Sequence, residues 1–122
     1  PFADPMGAFS RTVVPDPVLL FRYSALTGNG HRIHYDRKYV TEVEAYPGLI
    51  VHGPLQATLL AELAQAHAPA RKLAAFGFRA MRPVFDLHPF RLVGHWHGTD
   101  RVDLAVVDHA GQLCMRAEAD FE

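Results

Sequence analysis

One cysteine, Cys114, is all this 122-residue chain has, so an internal disulfide framework is excluded. The lone thiol fits a reducing compartment, and cytoplasmic residence is the expectation. No apolar run approaches the roughly 20 residues that a membrane-spanning helix needs. Charge of one sign is lacking too. Twelve Lys and Arg face thirteen Asp and Glu, a formal charge of −1, which argues against a general nucleic-acid or membrane-surface binder. There is no internal repeat and no low-complexity tract. What is present is apolar mass, 49% of the residues, enough for the core of one domain. There are also eight histidines, the side chain that titrates near neutral pH.

Residues 1–17 carry Pro1, Pro5, Gly7 and Pro15 and read as a linker or N-terminal arm, with a short strand at 10–14. The remainder, 18–122, reads as one domain. Residues 18–26 form a short apolar helix, with Asp16 as cap and Pro17 in its first turn. Thr27-Gly28-Asn29-Gly30 breaks it. Residues 21–53 as a whole read as long and largely irregular, which is unusual in a small domain and often functional. Pro54 opens a helix that Pro69 stops, and its apolar residues cover most of the circumference, so it is buried on several sides. After Pro69 the chain reads as strands at 73–82, 90–97, 102–108 and 113–119, joined by short turns and therefore antiparallel. In the last strand Leu113, Met115, Ala117 and Ala119 alternate with polar positions, the pattern of a sheet with one wet face. The expected class is α+β: an antiparallel sheet curled around one long apolar helix, the hot-dog arrangement.

The segment FRYSALTGNGHRIHYD, followed by His52-Gly53 and the apolar helix, resembles the MaoC-like family of R-specific enoyl-CoA hydratases and 3-hydroxyacyl-thioester dehydratases. That family's signature runs Gly, Asp, any residue, Asn, Pro, an aliphatic residue and His. Gly28, Ile33 and His34 match it. The family's catalytic Asp falls on Asn29, and its Asn and Pro fall on His31 and Arg32. The form of the segment is similar to the itaconyl- or mesaconyl-CoA hydratase and mitochondrial-type dehydratase branch. Proteins of that branch have two hot-dog halves, with this motif in the C-terminal one. Together with the start at Pro1 rather than Met, this leads us to expect one half of a longer protein. The resemblance implies an acyl-CoA or acyl-carrier-protein thioester as substrate and no cofactor. It also implies a homodimer or a pairing with a second hot-dog domain, because the free sheet edge needs cover.

Hydration of an enoyl thioester needs a base for water, an acid for the α-carbon and a stabiliser of the enolate oxygen. His34 can supply both proton transfers. Asn29 can orient water but cannot accept a proton at neutral pH. Gly53, entering a helix, offers a backbone N–H where negative charge is favoured and leaves room for a thioester carbonyl. Candidate substrate contacts are His31, Arg32, His52 and Arg37, the arginines for phosphates or a free carboxylate. Each has a plainer reading: a glycine-flanked turn for Asn29, structural imidazoles for His34 and His52, a solvated face for the cluster Arg32, Arg37 and Lys38. Arg79 and Arg82 are equally open. His31, His34, His95 and His97 could supply four metal-binding nitrogens, but no Cys or carboxylate completes a known spacing, so no metal is expected. Cys114 reads as a packing residue. The alternatives to a hydro-lyase are a non-catalytic thioester-binding half and a thioesterase.

Overall fold

The computed structural model describes residues 1–29 and 31–122. Gly30, part of the helix-breaking turn read from the sequence, lies outside the described residues. Five strands form one antiparallel sheet: β1 (Phe9–Val13), β2 (Leu73–Ala80), β3 (Phe90–His97), β4 (Arg101–Val107) and β5 (Leu113–Phe121), in the order β1-β3-β4-β5-β2. Helix α1 spans Pro17–Thr27, α2 spans Arg37–Glu42, and α3 spans Gly53–Ala66 and packs on β2 to β5. The sheet wraps α3 as the hot-dog arrangement requires. Leu60 and Ala64 of α3 are wholly buried, against Leu92, Val102, Val106, Met115 and Ala119 from the sheet. None of the described helices is long and apolar enough to cross a membrane.

Three features differ from the sequence reading. Residues 1–17 do carry the short strand expected at 10–14, but it docks on the sheet. β1 is an edge strand of the sheet, paired with β3 from Phe9↔Gly94 to Val13↔Phe90. Ahead of it, Phe2 and Ala8 pack on Val93, Ala105 and Val107 on the face of the sheet away from α3. There Asp4 takes a two-pronged ion pair from Arg91, 2.9 Å on each arm. Second, Leu113 does not share the core face of Met115. The β4–β5 register shifts between Val106↔Met115 and Val107↔Leu113, so one extra residue sits opposite the shift. Leu113 thereby joins the outer cluster, while Cys114 is buried. At the same place β2 stops at Ala80 rather than residue 82, because the Met81 and Arg82 N–H groups both turn to the Cys114 carbonyl. Third, the supposedly irregular stretch holds α2. Asp36 caps it by accepting from the Tyr39 N–H at 3.0 Å.

The contact that seats β1 is tight. A Cβ built on Gly94 would lie 2.6 Å from Cε1 of Phe9 and 3.0 Å from Cδ2 of Leu104. Phe9 is itself stacked on His67 at 3.6 Å, so its ring has little room to retreat. Gly94→Ala should therefore destabilise the fold by about 1–3 kcal/mol, read as a lower denaturant midpoint. An unchanged midpoint would show that β1 yields freely.

Candidate active site

The site is built where the end of α1, a short 3-10 turn at Arg32–His34 and the start of α3 converge. Asp16 starts α1 by accepting from the Val18 N–H at 2.8 Å. Gly28 ends it in the left-handed region, φ 69°, which glycine adopts without strain. The reversal lets the Asn29 N–H reach the Ser24 carbonyl at 2.8 Å. Asn29 Oδ1 accepts from the His31 N–H at 3.0 Å, so the amide NH2 is the end left to meet a ligand.

His34 is buried, 8% exposed, and its Nδ1 lies 2.7 Å from the Ile50 carbonyl oxygen. A carbonyl can only accept, so Nδ1 carries the proton, and in the neutral ring Nε2 is a bare lone pair. Burial is the main cause holding the His34 pKa below its ordinary value. The Ile50 bond opposes this and the nearby His31 adds to it. Burial and His31 both favour the neutral form of the His34 ring.

His52 stacks flat on His34, with centroids 3.8 Å apart and planes 17° from parallel. It is 1% exposed. The edge-on ring of Tyr23 lies 4.6 Å away, and Nε2 is 2.7 Å from Ser24 Oγ in a buried hydrogen bond. Burial first, then the proximity of His34, pushes its pKa down to about 4. His52 is also the residue just before α3. The next residue, Gly53, carries one of the helix-start N–H groups that no intrahelical carbonyl can reach. A groove of about 300 Å³ is lined by Phe21, Ser24, Ala25, Gly28, Asn29 and Tyr35, and Ser24 links it to His52.

The structure thus brings together His34, His52 and Ser24, puts Asn29 on the wall of the groove that Ser24 also lines, and sets Gly53 next to His52. His31 stands 6.1 Å from His34, ring to ring, at the exposed start of the 3-10 turn. The two arginines are engaged elsewhere. Arg32 forms an ion pair with Asp36 at 2.9 Å and covers the Tyr39 ring. Arg37 grips Asp86 with both arms. Asp86 also accepts from the Leu49 N–H at 3.0 Å. This clamp fixes the chain ahead of His52, which is a structural use of Arg37. His95 and His97 lie by Asp103 instead, and among the described residues no group of three potential ligands could hold a metal ion. Arg79 stands opposite Arg116 on the β2–β5 pair. Sequence reasoning missed Ser24 and Tyr23. The available signal was a helical serine four residues before the glycine that ends α1.

The description of hydroxyacyl-thioester dehydratase type 2 matches residues 1–86. Among curated proteins, the chain is 54% identical to mesaconyl-C(4)-CoA hydratase of Chloroflexus aurantiacus over 114 residues, covering 93% of this chain and 40% of that protein. It is 39% identical to the mitochondrial hydroxyacyl-thioester dehydratase type 2 of Schizosaccharomyces pombe over 80 residues, 64% of this chain and 27% of that one. The chain therefore spans well under half the length of these relatives. Among solved structures, the (R)-hydratase from A. caviae involved in PHA biosynthesis superposes with a TM-score of 0.81 at 17% identity, over 94% of this chain and 92% of that one. At that identity the likeness speaks to the fold alone, and it is the hot-dog fold described above. The match over residues 1–86, which takes in α1, the 3-10 turn and all of α3, shows that the chain belongs to the hydroxyacyl-thioester dehydratase type 2 family.

Proposed function

We propose that this chain is a hydro-lyase that reversibly hydrates 2-enoyl thioesters, or equivalently dehydrates 3-hydroxyacyl thioesters. The observation that carries the reading is the His34–Ile50 bond, which leaves Nε2 as a desolvated, unprotonated base. Nε2 takes a proton from water as the oxygen adds to the β-carbon. The double-bond electrons move onto the thioester, and the developing enolate oxygen meets the Gly53 N–H at the start of α3. His34 then delivers the proton from Nε2 to the α-carbon, restoring the base. Asn29 positions water through its NH2 group. The thioester itself acidifies the α-proton, so the scheme uses no cofactor.

A short dicarboxylic acyl group such as mesaconyl is the favoured substrate, supported by the 54% identity to the Chloroflexus hydratase. The carrier in this reading is coenzyme A, with acyl carrier protein as the alternative. The partner in this reading is a second hot-dog sheet, another copy or another half. It would meet edge strand β2, whose exposed sequence LAAFGFRA has one charge and no proline. The competing reading, a non-catalytic thioester-binding half, draws on Asn29, which cannot share the proton transfers.

The test is to give the chain crotonyl-CoA and mesaconyl-CoA and follow loss of the conjugated-thioester absorbance together with free thiol. Loss without thiol release supports hydration. Thiol release would make it a thioesterase, and binding without turnover would make it a binding half.

A further inference from the structure

Ser24 has a hydroxyl whose proton is not spent on its own helix. Thr27 and Thr41 donate back to the carbonyls of Tyr23 and Arg37, each at 2.8 Å, the usual resting place of a helical hydroxyl. Among the described residues, the Ser24 hydroxyl bonds only to His52 Nε2. It can therefore either donate into that nitrogen or accept from it. The choice rests on where His52 keeps its single proton.

The other ring nitrogen decides. His52 Nδ1 is buried and has no hydrogen-bond partner among the described residues. A proton there would be an orphaned buried N–H, which is rarer and costlier than an unused lone pair. The buried Gln56 Oε1, four residues on, is also unpartnered, and no hydrogen bond joins the two. The Gln56 amide is held the other way round, its Nε2 donating to the Val51 carbonyl at 3.0 Å. The proton therefore belongs on His52 Nε2, which donates to Ser24 Oγ. That leaves the Ser24 O–H to be directed at the groove its residue lines with Asn29.

We propose that Ser24 is a substrate-facing hydrogen-bond donor in this site, its hydroxyl proton kept free for an oxygen of the acyl group by the N–H that His52 donates to it. This rests on the hydro-lyase reading. The groove then offers the neutral Ser24 O–H to an oxygen of the acyl group, while the Asn29 NH2, which lines the same groove, positions water. His52 is a positioning residue in this arrangement. It acts on substrate only through Ser24 and through the ring it stacks on.

Two measurements test it. In the wild-type chain with 15N-labelled histidine, couplings from the ring nitrogens to Hδ2 and Hε1 report which His52 nitrogen is protonated. Nε2 protonated and Nδ1 bare is the expected result. A protonated Nδ1 would show Ser24 donating into His52 and overturn the proposal. In the second, Ser24→Ala is assayed on an enoyl thioester that the wild type hydrates. A fall in kcat of about 10-fold or more is expected for a donor lost from the reacting end of the substrate, and an unchanged kcat overturns it. Should the wild type turn over no enoyl thioester, the hydro-lyase reading falls. The tautomer measurement still decides the donor role, with Nε2 protonation sustaining it and Nδ1 protonation overturning it.

Discussion

His34→Gln is expected to lower kcat on an enoyl thioester by about 10²–10⁴-fold, the usual worth of a positioned general base. Glutamine is the informative replacement. Its NH2 group can still donate to the Ile50 carbonyl that His34 Nδ1 now contacts, so the local backbone keeps its anchor while the proton acceptor is gone. His34→Ala should do at least as much harm, since it also strips the ring from the face of His52. In the wild type, kcat/KM should be flat near neutral pH and fall on the acid side. That limb should lie below the ordinary imidazole value, because burial holds the His34 pKa down. Near-wild-type rates for His34→Gln would move the proton transfers elsewhere, and an acid limb above pH 6.5 would contradict the desolvated base.

Acid should weaken the fold progressively between pH 6.5 and about 4. His52 has a pKa of about 4 in the folded chain against 6.5 for a free imidazole. Between these values the unfolded chain binds a proton that the folded chain refuses, so unfolding is favoured as pH drops. The stabilisation is fully present above pH 6.5, is lost progressively below it, and is gone once the pH has passed through about 4. Its size is about 3 kcal/mol, taking 1.36 kcal/mol per pKa unit. His34, also held below its ordinary value, acts in the same direction. Asp4 and Asp36 are held low by Arg91 and by the Tyr39 N–H with Arg32 respectively, so their loss comes below pH 3.8, outside this window. Denaturant midpoints at pH 7 and pH 4.5 should thus differ clearly for the wild type and less for His52→Asn. An equal difference in both would show that His52 is not the buried neutral group described here.

The fold was legible because its signals are periodic. The apolar circumference of α3, bracketed by Pro54 and Pro69, and the turns at Gly98 and Gly111, both with positive φ, placed four strands and the central helix within a few residues. The family segment pointed to the candidate site. What stayed hidden was tertiary. Nothing local says that Phe9 will stack on His67 and draw residues 9–13 into the sheet. Nothing local says that a register shift beside Val107 will turn Leu113 outward. Within the site, His34 and Gly53 could be picked out by their chemistry. The role of Arg37 could not, since its partner Asp86 lies 49 residues away. Ser24, and the pairing of His52 with it, were hidden for the same reason, being joined across 28 residues.

Ile50 ties two segments of the candidate site together. Its N–H donates to the Ile33 carbonyl at 2.9 Å, and its own carbonyl takes the His34 Nδ1 proton. The base is thus registered against the strand-like entry to α3, not against the helix whose residues Phe21 and Ala25 line the groove. That helix and the entry to α3 are joined through the Ser24–His52 bond and the His52–His34 stack. Under the proposed reaction, exchanging Phe21 or Ala25 would reshape the groove while leaving the His34–Ile50 bond in place.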